Sequence, residues 1–210
     1  MLEYESVITI YTIGHSNHET ETILSLLQRH RIQTVSDVRS SPYSRFAPQF
    51  NRELLAKVLQ ANSIAYRFAG HQLGARPDDP HCYLDGTVDF ARLSQTDAFK
   101  KGLAQVQNTA VRSNLALMCS EKDPLHCHRM ILVCRHLKNK DTLIKHIRED
   151  GTLEDNHDAE RRLLDLLHME PADLFRTPEE IVEEAYDRQG GRIAYHETGN
   201  AATAASGRTL

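Results

Sequence analysis

Short apolar runs alternate along the chain with segments in which apolar residues recur every three or four positions. Runs that are rich in β-branched residues and show little alternation are typical of strands covered on both faces. Such runs predict five strands, at Val7–Ile13, Thr34–Val38, Ile64–Phe68, Asn114–Met118 and Thr142–Ile147. The chain therefore carries the repeated strand signal of a sheet-based domain.

Helical spacing appears between these strands and after them. Ser16 and Glu19 have the spacing of a capping box ahead of the first helix, and Asn51 is a suitable cap for the second. Further helices are predicted over Phe90–Val106, Met130–Leu137, His157–His168 and from Pro178 onward. Ala69–Val88 is rich in Gly and Pro and predicts a long loop, a kind of segment that often carries function.

This alternation predicts an α/β fold: a mainly parallel sheet of about five strands with helices on both faces, in a Rossmann-like three-layer arrangement. The order of the strands stays open. We expect a single domain over residues 1–187, because 210 residues suit one domain with a well-buried core. From Arg188 to residue 210, Gly, Ala, Ser and Thr dominate without periodicity, which predicts a weakly ordered tail.

Composition narrows the classes of partner. A net charge of −4 argues against a protein held on nucleic acid by bulk charge, although a local basic pocket is compatible with it. No apolar stretch approaches the length of a membrane span, and the first residues lack the pattern of a signal peptide. We therefore expect a cytoplasmic protein without a membrane partner, whose four cysteines are free thiols.

Polar residues follow several of the predicted strands. The carboxyl ends of parallel strands share one edge of a sheet, which is the usual ligand crevice. Residues expected at that edge are His15 after the first strand, Asp37, Arg39 and Arg45 after the second, His71 after the third, Cys119 after the fourth, and His146 in the fifth. The sequence thus predicts a polar pocket there.

The densest group of reactive residues is the run from Cys119 to Arg129, which lies between a predicted strand and a predicted helix. It holds two thiols, two imidazoles, a guanidinium and the carboxylate of Glu121. No arginine stands six residues beyond either Cys119 or Cys127, so the phosphatase-type cysteine loop is absent. The run indicates a site without identifying a reaction.

Our preferred hypothesis is that Arg39, Arg45 and Arg129 bind a small anionic ligand, either phosphorylated or nucleotide-like. Guanidinium groups bind such anions with paired hydrogen bonds, and a helix beginning near Cys127 would add free N–H donors. His15 and Glu121 would complete the ligand site.

Two other hypotheses stay open. A thiol- or metal-dependent enzyme would use Cys119, Cys127 and His128 as reactive groups, with Asp37 as base or orienting group. We predict no metal and no cofactor, because seven residues between the cysteines exceed the usual ligand spacing. In the last hypothesis the pocket is a non-catalytic ion-pair network, in which Arg39 and Arg129 pair with carboxylates.

Several short motifs occur in the same order as in a known family. They are Thr12–Ser16, Asp37–Arg39 with Pro42 and Ser44-Arg45, Leu73-Gly74, Cys119-Ser-Glu121, Cys127–Arg129, His146-Ile147 and His157. Over residues 8–168 the chain resembles the bacterial and archaeal proteins of domain of unknown function 488. The resemblance implies one α/β domain with a shared pocket and no established reaction. Ala75 stands where many relatives have a second glycine.

Overall fold

A computed structural model describes residues 7–172 and 174–197. Within them, strands β1–β8 are Ile8–Gly14, Thr34–Asp37, Ala65–Phe68, Tyr83–Leu84, Thr87–Val88, Leu115–Cys119, Thr142–Ile147 and Leu153–Asp155. Helices α1–α8 are Thr20–Arg29, Arg52–Ala61, Gly70–Leu73, Phe90–Gln95, Asp97–Ala110, Arg135–Leu137, Asn156–Leu167 and Pro178–Ile193. A π-helical segment, Arg129–Cys134, leads into α6.

Six of these strands form one sheet in the order β3-β2-β6-β1-β7-β8. All neighbours in it are parallel except β8, which runs antiparallel to β7. Gly14 is in register with Cys119, and Asp37 with Met118, so the carboxyl ends of β1, β2 and β6 lie side by side. The predicted three-layer α/β fold is confirmed, and this edge is the one that carries the polar residues.

Apolar side chains cover both faces of the sheet. On one face Val35 and Met118 pack in a cluster with Leu27 of α1, and on the other Ile10 packs in a cluster with Phe99 of α5. Each fully buried side chain of this size contributes about 1.5–3 kcal/mol. Helices α7 and α8 pack against the outer side of the π-helical segment in a separate apolar cluster. The segment is thereby held between the sheet and these two helices.

The five predicted strands each match an observed strand to within a residue at either end. Missing from the prediction are β8 and the hairpin of β4 and β5, which are two or three residues long. The single helix predicted over Phe90–Val106 is two helices, because Thr96 has an extended backbone and its side chain caps α5. The boundary between them was not visible in the apolar spacing.

Two predicted boundaries need correction: the start of the first helix and the start of the C-terminal tail. Ser16 does not cap α1: its φ is 47°, it lies in a turn, and Glu19 occupies the cap position instead. The weakly ordered tail does not begin at Arg188, because α8 continues to Ile193 and Gln189 is buried against the carbonyl of Leu125. Residues 198–210 of the predicted tail lie outside the described residues.

No helix in the described ranges is both long enough and apolar enough to span a membrane.

Candidate functional site

A cleft of about 560 Å³ opens at the carboxyl edge of β2 and β6. Its lining is rich in hydrogen-bond donors, which come from loops after both strands, from the long loop after α3 and from the end of α8. Its basic side chains are Arg39, Arg76, His126, His128 and His196. Hydroxyl groups of Ser40, Ser44, Ser120 and Tyr43 lie between them, and Glu121 is the acidic residue of the lining.

Two thiols, an imidazole and a carboxylate meet at the floor of this cleft, where Cys119, Glu121 and His128 belong to the lining and Cys127 is buried beside them. The ligand atoms of Cys119, Cys127 and His128 all lie within 4.8 Å of one another. Cys119 Sγ is 3.6 Å from Nδ1 of His128. Oε2 of Glu121 lies 3.1 Å from Cys119 Sγ and 3.2 Å from Cys127 Sγ. The predicted convergence of these four residues is therefore present in the structure.

The loop between the two cysteines is folded back by contacts of its own. A short turn of 3-10 helix, Pro124–His126, begins where Asp123 accepts the N–H of Leu125 at 3.0 Å, and Cys127 directly follows it. Arg129 donates from Nη1 to the carbonyl of Glu121 at 2.6 Å and from Nη2 to that of Lys122 at 3.0 Å. The seven intervening residues therefore do not keep the cysteines apart.

Gly14 allows the loop to approach β1. A Cβ at this position would lie 1.9 Å from the carbonyl oxygen of Glu121 and 3.2 Å from Nη1 of Arg129. Any side chain here would push the loop away from the sheet, because a non-bonded carbon cannot lie 1.9 Å from a carbonyl oxygen. The glycine after the first strand is thus required by close packing under the cysteine loop.

The groups around Cys119 and Cys127 shift the pKa values of these two thiols in opposite directions. Burial opposes ionisation of Cys127, but a hydrogen bond from Cys119 and the positive charges of Arg129 and His128 lower its pKa. The same hydrogen bond, together with burial, raises the pKa of Cys119. Burial and the charge on Cys127 raise the pKa of Glu121. Cys127 is therefore the more acidic thiol of the pair.

Arg39 is held by a second buried network at the side of the cleft. Asp37 accepts its Nε at 2.9 Å and its Nη2 at 2.6 Å, and also accepts the hydroxyl of Tyr66 at 2.8 Å. Nη2 also donates to the carbonyl of Phe50 at 2.9 Å. Asp37 thus orients a guanidinium and shows no contact that would make it a general base.

His15 completes this network as a hydrogen-bond acceptor. Arg39 Nη1 donates to its Nε2 at 3.1 Å, and its Nδ1 donates to the carbonyl of Ser16 at 2.8 Å. Burial and the charge of Arg39 lower the pKa of His15 to about 4. The imidazole is therefore neutral, with both nitrogens engaged, and supports Arg39.

The three predicted arginines are not brought together. Arg45 is exposed, with its guanidinium 5.0 Å from the ring of Phe46, and it does not line the cleft. Arg129 is buried beneath the cysteine loop, where carbonyls and Thr12 accept its hydrogen bonds, so it does not reach the cleft either. The sequence missed Arg76, whose backbone N–H donates to Ser40 Oγ at 2.9 Å and whose loop gave no periodic signal.

His146 lies behind the site. Thr12 Oγ1 donates to its Nδ1 at 2.8 Å, and its Nε2 donates to Asn156 Oδ1 at 3.2 Å. Asn156 donates in turn to the carboxylate of Glu160, which also accepts from Tyr186. Burial and the charge of Arg129 lower the pKa of His146 to about 3. This histidine belongs to a buried network and takes no part in the cleft.

The fold and the site together define an α/β domain with a cysteine, histidine and glutamate cluster on the floor of a cleft at the sheet edge. The family model described as "Domain of unknown function DUF488" matches residues 19–135, which is more than half of the chain, so the chain belongs to this family. The match includes Asp37, Arg39 and the whole run from Cys119 to Arg129. No curated protein and no solved structure matched the chain.

Proposed function

We propose that the domain binds a small anionic ligand, one that carries a phosphate or carboxylate group, in the cleft at the edge of β2 and β6. The observation that carries this proposal is the lining, in which two arginines and three histidines are opposed by one carboxylate. Guanidinium groups are suited to paired hydrogen bonds with either anion. The proposal keeps the ligand class predicted from the sequence and changes the arginines that would hold it.

Arg76 is the cation best placed to meet a ligand. It is exposed, its guanidinium lies 4.3 Å from the ring of Tyr195, and no carboxylate within the described residues forms a salt bridge with it. Its charge is therefore available to an incoming anion.

Arg39 would supply a fixed donor deeper in the cleft. Its guanidinium is already oriented by Asp37 and His15 in the absence of a ligand. Ligand binding would therefore cost little further side-chain entropy at Arg39. The cleft volume of about 560 Å³ lies within the range of small-molecule sites and suits a ligand as large as a mononucleotide.

The test compares the thermal stability of three proteins with and without inorganic phosphate: the wild type, Arg76→Gln and Arg45→Gln. Phosphate should raise the melting temperature of the wild type and of Arg45→Gln by the same amount, and that of Arg76→Gln by less than half as much. Arg45 is a matched control because it is also exposed but lies outside the cleft. Equal shifts in all three proteins would refute the proposal.

A thiol- or metal-dependent enzyme is the second candidate, favoured by the cluster at the floor of the same cleft. Cys119, Glu121 and His128 line the cleft, so a bound ligand would meet reactive groups there. An alkylating reagent should modify a cluster thiol faster than Cys82 in the folded protein. Equal rates, mapped by mass spectrometry, would count against the thiol form of this function.

A further inference from the structure

We infer that Cys119, Cys127 and His128 bind one transition-metal ion, with Zn²⁺ as the preferred metal and Glu121 beside it. This inference rests on the second candidate function, of which it specifies the metal and its ligands, and it does not depend on the anionic ligand of the cleft. The distance between Cys119 and His128 fits such an ion before it is bound. Tetrahedral zinc with ordinary Zn–S and Zn–N bonds separates sulfur and nitrogen ligands by about 3.6 Å, and Cys119 Sγ lies 3.6 Å from His128 Nδ1.

His128 is oriented as a metal-ligating histidine. Its Nε2 donates to the carbonyl of Val38 at 2.9 Å, which fixes the ring with Nδ1 3.6 Å from Cys119 Sγ, and a metal that displaces the Nδ1 proton would bind there. Ligating histidines almost always donate their other N–H to a carbonyl or carboxylate in this way. The backbone at the end of β2 therefore prepares the imidazole for a metal.

The charges around the cluster also favour a metal with two thiolates. Arg129 is a fully buried cation, and no carboxylate among the described residues forms a salt bridge with it. Two thiolates and the Glu121 carboxylate would balance the charges of a divalent ion and of Arg129. A buried site of this composition is neutral overall, which avoids the cost of burying an unpaired charge.

The donor set indicates the class of metal and the kind of site. Two thiolates with an imidazole select zinc and other transition metals over magnesium or calcium, which prefer oxygen ligands. A catalytic zinc site typically has three protein ligands and a fourth coordination position that is open to the substrate cleft. Water or a carboxylate completes the coordination there. Glu121 Oε2 lies close to the sulfur atoms of Cys119 and Cys127 and would take that fourth position.

The experiment measures metal binding to the full chain, expressed without a histidine tag. We expect about one equivalent of zinc after exposure to excess Zn²⁺ and removal of unbound ion. We also expect Co²⁺ to give a thiolate-to-cobalt absorption band whose intensity corresponds to two sulfur ligands. Both measurements use the wild type, so they do not depend on whether a variant folds.

Variants then assign the ligands. Cys127→Ala and His128→Gln should weaken zinc affinity at least a hundredfold, while Cys82→Ala, which removes a buried thiol outside the cluster, should bind as the wild type does. Arg76→Gln should also keep its metal, which separates this site from the anion site. The inference is overturned if the reduced wild type binds neither ion, or if the cobalt band is unchanged in Cys127→Ala.

Discussion

His146 should make the protein sensitive to mild acid. Its side chain is fully buried, with Thr12 donating to one ring nitrogen and Asn156 accepting from the other. Protonation would add a hydrogen at Nδ1 and place a second positive charge near Arg129. The folded protein therefore holds the pKa of His146 at about 3, whereas an unfolded histidine has a pKa of about 6.5.

The sign and size of the effect follow from proton binding. Because the folded pKa is lowered, the contribution of His146 to stability is complete above pH 6.5 and is lost as the pH falls from 6.5 toward 3. At pH 5 the unfolded histidine is charged and the folded one neutral. The free energy of unfolding should then be lower by about 2 kcal/mol than at pH 8.

The assay is urea unfolding followed by circular dichroism at pH 8, 6.5 and 5, with a chelator present so that metal release does not contribute. His146→Gln retains an acceptor and a donor but cannot take up a proton. It should lose about 2 kcal/mol less than the wild type between pH 8 and 5. His15 contributes a similar loss in both proteins, since its pKa is also lowered, to about 4.

His157→Gln is the matched control, because His157 is exposed near the start of α7. Its loss of stability between pH 8 and 5 should equal that of the wild type. If His146→Gln loses as much stability as the wild type over this range, the description of His146 as a buried neutral acceptor is wrong.

Three further substitutions test the packing under the cleft. Gly14→Ala places a Cβ against the carbonyl of Glu121 and should lower the free energy of unfolding in urea by about 1–3 kcal/mol or more, so an unchanged midpoint would show that the loop is not held there. Asp37→Asn leaves buried Arg39 without its counter-charge and should cost about 3–5 kcal/mol; a loss below about 1 kcal/mol would mean that the ion pair is unimportant. Tyr66→Phe removes one hydrogen bond to Asp37 and should cost about 1 kcal/mol in the same assay, clearly less than Asp37→Asn.

The sequence predicted the parallel strands well because their burial is nearly uniform. Every residue of β6 is buried, so its apolar run carries the whole signal. The order of strands depends on contacts between distant segments, and no local pattern places β6 between β1 and β2. The edge strand β8 has three residues, two of them exposed, and gives no strand signal of its own.

For the site, the sequence identified the residue types and the edge of the sheet but not the direction of each side chain. Arg129 was predicted to face the ligand, yet it lies beneath the loop because backbone carbonyls there attract its guanidinium. Arg45 sits in a loop and extends into solvent. The loop that carries Arg76 is held at the cleft by a hydrogen bond from the backbone N–H of Arg76 to Ser40 Oγ, a long-range contact that composition and spacing cannot reveal.

The position of His128 against Val38 limits how the cysteine cluster can be transferred to another protein. Cys119 and His128 are only nine residues apart, so a short peptide would contain every proposed metal ligand. Such a peptide would lack the carbonyl of Val38 that orients the imidazole, the hydroxyl of Thr12 and the space left by Gly14. Grafting the run into a different scaffold should therefore require three neighbouring parallel strands, and a search for the motif alone will return chains that cannot build the site.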